Sequence, residues 1–323
     1  MKLGRLAVLL VAGSLTLGGC GGDRSAGQTG DTSSVAGKRL SIATGNTTGV
    51  YYVLGGGLAN QIGKNIPGYQ ATAEATGASV ENIQRVVRGD SDIAFTLADS
   101  AADAAAGKGS FTSPQPIRAI ARLYDNYTQV VATTDSGVRS IADLKGKRVS
   151  TGSPNSGTEV IALRMLKAAG LDPDKDVTRQ SLGLPESVQG IKDGGLDALI
   201  WSGGLPTPGI TDLVTSLKDK VAFVPLDKVL APMQAEHGQV YAAGTIAKDV
   251  YATPSEVSTI TVPNLLVVNE KMDPALAESL ARLLFDHKAE LEKVHPSAKS
   301  ITRDNAPKTE PVPLHDGAKK YYG

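Results

Sequence analysis

Residues 39–52, RLSIATGNTTGVYY, set the pattern that decides the fold. The apolar and β-branched run at 39–44 predicts a strand, a loop rich in glycine and threonine follows, and a helix is predicted at about 51–64. The alternation continues with predicted strands at 69–75, 92–97 and 117–123 and predicted helices at 80–88 and 98–106. Alternating strands and helices favour a parallel sheet covered by helices, which is the α/β class.

A second run of the same kind follows, which indicates two α/β lobes rather than one large sheet. Its predicted strands are 129–133, 148–151 and 196–201, and its predicted helices are 156–169 and 185–192. Ser156 and Glu159 have the spacing of a capping box, and Gly170 is expected to end that helix. Further on, 260–268 is predicted as a strand, and 274–294 as one long helix that packs on the first lobe.

Three loops rich in small polar residues lead from a strand into a helix, at 43–52, 75–82 and 151–159. A helix N-terminus offers free N–H groups and the positive end of the helix dipole, so these loops predict a site for a carboxylate or another small anion. Ser79 and Ser156 are also good N-caps without any ligand. Of the adjacent Tyr51 and Tyr52, one is expected in the core and one in the cleft. Trp201 fits either the core or the cleft wall.

The first 20 residues resemble a bacterial lipoprotein signal. Lys2 and Arg5 precede an apolar run at 6–17, which is too short to span a bilayer, and Cys20 follows small residues. The segment 1–19 is therefore predicted to be a signal peptide, with Cys20 acylated and the protein anchored by lipid outside the cytoplasm. The alternative is a plain signal peptide with an incidental cysteine. Residues 20–37 are predicted to be a flexible tether.

Composition argues against several classes of protein. Acidic and basic side chains number 33 each, which is unlike a nucleic-acid-binding protein with its clustered basic face. Cys20 is the single cysteine, so no intramolecular disulfide forms, and the four histidines do not have the HExxH spacing of a zinc site. The chain has no G-x-S-x-G elbow. We therefore predict a protein that is not an enzyme and has neither a metal nor a cofactor.

The chain from about residue 40 onward resembles the TAXI-type solute-binding proteins of tripartite ATP-independent periplasmic (TRAP) transporters. The resemblance rests on the segments 43–45 with Tyr51 and Tyr52, 77–82, 143–149, 153–159, 193–198, 262–266 and 313–322. It implies a two-lobed type II periplasmic-binding-protein fold with a ligand cleft between the lobes. Two strands would cross between the lobes, near 124–131 and 257–262. Lobe 1 would comprise 38–126 plus 260–323, and lobe 2 would comprise 127–259.

The resemblance also implies a function. Members bind small organic anions such as glutamate, glutamine or related dicarboxylates by lobe closure, and they deliver them to a TRAP membrane permease without catalysis. The residues that match the family's ligand-binding positions are Asn46, Thr48, Tyr51 and Ser79 in lobe 1 and Ser153, Asn155, Ser156, Gly157 and Thr158 in lobe 2. The chain departs from the family where Asn46 and Thr48 replace frequent glycines and where Leu97 replaces a frequent glutamine. A monomer is expected.

Two other roles stay open on the sequence. One is a ligand-sensing accessory lipoprotein of a signalling system that uses the same fold. The other is an enzyme on this fold, which would need a catalytic pair that the sequence does not reveal.

Overall fold

The structure, a computed structural model, describes residues 37–323. The predictions for the signal peptide, for lipidation at Cys20 and for nearly all of the tether lie outside these residues. The strands are β1 (Lys38–Ala43), β2 (Tyr69–Glu74), β3 (Ile93–Leu97), β4 (Ile117–Thr133), β5 (Arg148–Ser150), β6 (Thr178–Gln180), β7 (Ala198–Gly203), β8 (Val221–Phe223), β9 (Ala242–Ile246) and β10 (Val257–Asn269).

Ten α-helices accompany the strands in the described part of the chain. They are α1 (Val50–Asn65), α2 (Ser79–Arg88), α3 (Ala98–Ala106), α4 (Gly157–Ala168), α5 (Leu184–Lys192), α6 (Pro208–Leu217), α7 (Asp227–His237), α8 (Pro274–Asp286), α9 (Lys288–Val294) and α10 (Asp316–Tyr322). The predicted α/β class is confirmed.

The strands form one connected sheet in the order β2-β1-β3-β10-β4-β7-β5-β6, with β8 beside β4 and β9 beside β10. The pairs among β1, β2 and β3 are parallel, and so are the pairs among β5, β6 and β7. The pairs that involve β4 or β10 are antiparallel. The sheet is thus mixed, with two parallel groups joined by antiparallel strands, whereas the alternation alone predicted parallel pairing.

Strands β4 and β10 run through both parts of the molecule. The sequence predicted two separate strands at 117–123 and 129–133, and this prediction was wrong because 117–133 is one strand of 17 residues. Its first part pairs with β10 beside β3, and its second part pairs with β7 and β8. We call β1–β3, α1–α3 and α8–α10 the first half, and β5–β9 with α4–α7 the second half. The residue limits given above for the two lobes stay a prediction.

The C-terminal helices pack on the first half, as predicted. Leu276, Leu280 and Leu284 of α8 are buried in one apolar cluster with Leu54 and Leu58 of α1. The single helix predicted at 274–294 is wrong, because α8 ends at Asp286 and α9 begins at Lys288. His287 has a ψ of 23°, outside the helical range, and it separates the two helices.

The predicted ends of α4 are confirmed. Ser156 is the N-cap, and its Oγ accepts a hydrogen bond from the Glu159 N–H at 2.9 Å. Gly170 follows the helix with a φ of +78°, a conformation that glycine adopts without a Cβ clash. No helix within residues 37–323 is both long enough and apolar enough to cross a bilayer.

Candidate ligand-binding site

A cavity lies where the two halves meet. The loops that enter α1, α2 and α4 line it, together with the C-terminal end of β7 and side chains of β4. Its volume is about 20 Å³, which corresponds to roughly one or two water molecules. The halves are therefore nearly in contact across the cavity.

Six of the nine residues that the resemblance selected line this cavity. They are Asn46, Tyr51, Ser79, Ser156, Gly157 and Thr158. The other three, Thr48, Ser153 and Asn155, are not among the lining residues, and their contact with a ligand stays a prediction. Ser153 lies just behind the cavity, where its Oγ accepts a hydrogen bond from Asn46 Nδ2 at 3.2 Å. Asn155 is exposed, and its backbone has a φ of +58°.

Three helix N-termini converge on the cavity. Gly49 precedes α1 and Ala78 precedes α2, and neither residue supplies a side-chain cap to its helix. The third terminus is that of α4, where Ser156 caps only the Glu159 N–H. Because the first N–H groups of a helix have no partner within the helix, the three termini direct donors and positive dipole ends toward one small volume. This arrangement favours an anion.

Ser79 does not act as the predicted N-cap. It is the first residue of α2, and its Oγ accepts a hydrogen bond from the Leu97 N–H at 3.0 Å, which joins α2 to the end of β3. Gly157 packs directly against this pair: a Cβ at Gly157 would lie 2.6 Å from both Ser79 Oγ and Leu97 Cδ1. Position 157 therefore has room only for glycine while the halves are in contact.

Glu159 forms only half of the predicted capping box. Its N–H donates to Ser156, but its carboxylate does not return to the Ser156 N–H. Instead Oε2 accepts from the Asn155 N–H at 2.9 Å, and Oε1 accepts from Arg179 at 3.0 Å. The carboxylate is occupied at the N-terminus of α4, which agrees with the structural role expected for Glu159.

A buried chain of hydrogen bonds forms the floor of the cavity. The Tyr51 hydroxyl donates to Asn264 Oδ1, and Asn264 Nδ2 donates to Asn126 Oδ1 at 2.8 Å. Asn126 Nδ2 in turn donates to the Ser202 carbonyl at 3.2 Å. The chain thus joins α1 to β7 through β10 and β4. Asn126, Asn264 and Ser202 are not among the ligand-binding residues predicted from the sequence. Asn264 gave a signal, because it interrupts the apolar strand VPNLLVV.

Tyr124 and Ser202 carry polar atoms without partners in this floor. Both residues line the cavity and are 2% and 6% exposed. The Tyr124 hydroxyl and the Ser202 Oγ form no hydrogen bond with any other described residue. Burial raises the pKa of Tyr124, and that of Tyr51, well above the usual value for tyrosine. Both phenols are therefore neutral at physiological pH and retain their protons as donors.

The sequence predicted that the aromatic side chains of Tyr51, Tyr52 and Trp201 each lie either in the core or in the cleft, and their observed positions differ from this simple choice. Tyr51 is part of the core and also lines the cavity, whereas Tyr52 is half-buried and does not line it. Trp201 is a cavity wall, and its Nε1 donates to Thr207 Oγ1 at 3.2 Å.

Several hydrogen bonds cross from one half to the other around the cavity. Asn46 Oδ1 accepts from the Leu184 N–H at 2.6 Å, and the Thr48 carbonyl accepts from the Gly209 N–H at 3.3 Å. The Thr48 carbonyl thus contacts the second half, while its Oγ1 forms no hydrogen bond with a described residue, and its contact with a ligand stays a prediction. Farther along α4, Arg164 Nη2 donates to Asp103 of α3 at 2.5 Å. These contacts hold the halves together.

The cavity lining has no formal charge. The 18 residues that line it are all among those that the structure describes, and none of them is Asp, Glu, Lys, Arg or His. Within residues 37–323 no group of three or more His, Cys, Asp or Glu side chains is placed to hold a metal ion.

Comparison with solved structures shows the fold. A protein from Bordetella bronchiseptica RB50 is 16% identical, with a TM-score of 0.52; the match covers 88% of this chain and 79% of that one. The binding protein component of an ABC phosphonate transporter from Pseudomonas aeruginosa is 14% identical, with a TM-score of 0.56; the match covers 80% of this chain and 78% of that one. The mixed α/β architecture with a central sheet is common to all three.

The sequence matches one protein-family model over almost the whole described region. The match runs from residue 42 to residue 323 and so includes both halves, the two long strands and every residue that lines the cavity. The chain belongs to the NMT1-like family.

Proposed function

We propose that this protein is an extracytoplasmic solute-binding lipoprotein that captures a small organic anion between its two halves. The observation that carries the proposal is the convergence of three helix N-termini on a cavity at the meeting of the halves. The fold shared with the Pseudomonas aeruginosa binding protein supports it. A lipid on Cys20 would anchor the protein, which would act as a monomer.

Opening and closing of the halves is part of the proposal. A cavity of about 20 Å³ is far smaller than a five-carbon dicarboxylate, so a ligand enters only when the contacts across the cavity separate. A ligand then shifts the population toward a closed form to the extent that it binds that form better. No bond in the ligand is made or broken, and the protein is not an enzyme.

The delivery partner in this proposal is a TRAP-type permease, and the ligand is glutamate, glutamine or a related dicarboxylate. This finer assignment rests on the resemblance of the segments 43–52, 77–82 and 153–159 to TAXI-type proteins. The ligand contacts would come from Asn46, Tyr51, Ser79, Ser156, Gly157 and Thr158, which line the cavity.

A thermal-shift screen tests ligand capture. The purified protein is heated with amino acids, dicarboxylates and 2-oxoacids, each at high concentration. A ligand at 100 times its Kd stabilises the folded state by about 2.7 kcal/mol, which raises Tm by several degrees in a domain of this size. No shift with any compound, combined with no small molecule released from the denatured protein in mass spectrometry, contradicts the proposal.

A second delivery route is favoured by one observation, the fold shared with a component of an ABC transporter. Uptake of a radiolabelled ligand by cells separates the two routes. Collapse of the ion gradients stops uptake through a TRAP permease, whereas depletion of ATP at a maintained gradient stops uptake through an ABC transporter. Binding without any uptake that depends on this protein would instead favour the sensing role.

A further inference from the structure

Two hydroxyl groups in the cavity floor form no hydrogen bond with any residue that the structure describes. Tyr124 and Ser202 are the lining residues whose buried side-chain hydroxyls form no hydrogen bond with the described residues. Buried polar groups in proteins are nearly always paired, and an exception at a cavity marks a place where another molecule supplies the partner. Tyr124 lies on β4 and Ser202 on β7, so the two hydroxyls come from strands that meet below the helix N-termini.

The neighbouring polar side chains have partners already. Tyr51 and Asn126 are joined through Asn264, and Ser79 Oγ accepts from the Leu97 N–H. Thr158 Oγ1 accepts from the Ser202 N–H at 3.2 Å. Among the described residues of the cavity floor, the hydroxyls of Tyr124 and Ser202 are therefore the side-chain groups that remain free to form a hydrogen bond with a ligand.

The charge of the surroundings defines what these hydroxyls can hold. The N-termini of α1, α2 and α4 supply N–H donors and positive dipole ends, which favour an oxyanion. None of the 18 lining residues, which all belong to the described part of the chain, is an Asp or a Glu. An ammonium group of a ligand would therefore be buried there without an ionic partner. Burial of an unpaired charge is strongly unfavourable.

We propose that Tyr124 and Ser202 are ligand-binding residues whose hydroxyls donate to carboxylate oxygens of a small dicarboxylate, and that the cavity selects dicarboxylates without an ammonium group. This inference rests on the proposed function and narrows its ligand class for the same cavity: it keeps the related dicarboxylates and excludes glutamate and glutamine, which carry an ammonium group. It adds contacts from the crossing strand β4 and from the end of β7 to the helix N-termini predicted from the sequence.

Two matched ligand pairs and four variants test it by isothermal titration calorimetry. The pairs are succinate with L-aspartate and glutarate with L-glutamate, which differ within each pair only by the ammonium group. The variants are Tyr124→Phe and Ser202→Ala, with Tyr321→Phe and Thr128→Val as controls. The Tyr321 hydroxyl and Thr128 Oγ1 are also buried and form no hydrogen bond with a described residue, but neither residue lines the cavity. Thr128 is the ladder partner of Ser202, so Thr128→Val controls for loss of a hydroxyl beside the cavity.

We expect the wild-type protein to bind at least one of the plain dicarboxylates at least ten-fold more tightly than its amino-acid counterpart. Because a hydrogen bond to a charged group is involved, Tyr124→Phe and Ser202→Ala should each weaken that binding by about ten- to hundred-fold. The control variants should stay within about two-fold of wild type, since they remove hydroxyls of the same kind that do not line the cavity.

Any other result would overturn either the whole proposal or one part of it. Binding of none of the four compounds by the wild-type protein overturns this inference, whereas the proposed function is overturned only if the wider thermal-shift panel and the mass spectrometry are negative as well. Normal binding by Tyr124→Phe and Ser202→Ala overturns this inference alone, and tighter binding of the amino acids overturns the selection against ammonium. Tyr124 also lines a second cavity of about 220 Å³ that Ser202 does not reach. An effect confined to Tyr124→Phe therefore assigns the ligand to that cavity and overturns the proposal.

Discussion

The side-chain oxygen of Asn46 accepts a hydrogen bond from the backbone N–H of Leu184 at 2.6 Å, although 138 residues separate them. Asn46 belongs to the loop before α1, and Leu184 is the first residue of α5 in the second half. The Nδ2 of Asn46 donates to Ser153 Oγ at 3.2 Å. A single amide thus connects the first half to two segments of the second half and helps to hold the cavity closed.

Replacing Asn46 by Ala should favour the open arrangement. The change removes two hydrogen bonds across the cavity, each of which contributes about 0.5–1.5 kcal/mol. We expect a larger radius of gyration in small-angle X-ray scattering and about ten-fold weaker ligand binding. Asn65→Ala is the matched control, because the Asn65 amide contacts only Gln61 on its own helix. An unchanged radius and an unchanged Kd in Asn46→Ala would show that this amide does not control closure.

Replacing Ser156 by Ala should reduce both stability and binding. Loss of the N-cap of α4 should lower the free energy of unfolding by about 1 kcal/mol, measured by urea denaturation. Ser140 caps the short helix Ile141–Leu144 away from the cavity, so Ser140→Ala provides a control that loses a cap without touching the site. Binding equal to wild type in both variants would reduce Ser156 to a structural cap.

Replacing Arg164 by Met should destabilise the protein strongly. Asp99 is fully buried, and it accepts from the Tyr241 hydroxyl at 2.7 Å while Arg164 lies 3.6 Å away. Removing the cation leaves a buried carboxylate without an ionic partner, which typically costs about 3–5 kcal/mol. Arg118→Met, which breaks the partly exposed pair with Glu270, should cost less than about 1 kcal/mol. Equal losses in the two variants, measured by urea denaturation at pH 7, would contradict this prediction.

The Arg164→Met loss should depend on pH. Burial already raises the pKa of Asp99, and the nearby Arg164 lowers it, so the variant should raise it further. A carboxyl group whose pKa is higher in the folded than in the unfolded protein binds its proton more tightly when folded. Its contribution to the free energy of unfolding is therefore fully present below the unfolded-state pKa and is lost as pH rises through the folded-state pKa. The deficit of Arg164→Met relative to wild type should therefore be smaller at pH 5 than at pH 7. A deficit that grows toward low pH would refute this assignment.

His295 should make the protein less stable as pH falls. Its Nε2 contacts the Pro206 carbonyl at 3.0 Å, and its Nδ1 accepts from the Ser297 N–H at 3.2 Å, so the neutral ring fits both partners. Burial lowers the pKa of His295 in the folded protein. Its contribution to the free energy of unfolding is therefore present above its ordinary pKa of about 6.5 and is lost as pH falls through the lower folded-state pKa. Between pH 7 and pH 5, Tm should fall less in His295→Gln than in wild type. A wild-type slope in His295→Gln would exclude His295 as the cause.

Replacing Cys20 by Ser should release the protein from the membrane fraction. The prediction depends on acylation of this single cysteine, since an oxygen in place of the sulfur removes the site of lipid attachment. Fractionation of cells followed by immunoblotting measures it. Ser33→Ala, a change in the same segment, should leave the protein with the membranes. Membrane attachment of the Cys20→Ser variant would mean that the signal is not a lipoprotein signal.

The local features of this protein were predictable from the sequence. The side-chain period of 2 in strands and of 3.6 in helices is a local property, so the sequence determined the α/β class, the positions of α1 to α5 and the end of α4 at Gly170. The three polar loops that enter helices were also visible, because glycine, serine and threonine act through their own backbone or that of adjacent residues. Six of the residues chosen there line the cavity.

Only the tertiary structure decided the continuity of β4 and the composition of the cavity floor. The local pattern predicted separate strands at 117–123 and 129–133, whereas the family resemblance implied a strand that crosses between the lobes near 124–131. Pairing with β10 and β7 makes 117–133 one strand. Tyr51, Asn126, Ser202 and Asn264 lie on four different elements, and their hydrogen bonds exist only after β4 and β10 have passed through both halves. Local periodicity has no information about such pairs, because contacts between residues far apart in sequence depend on how whole elements pack.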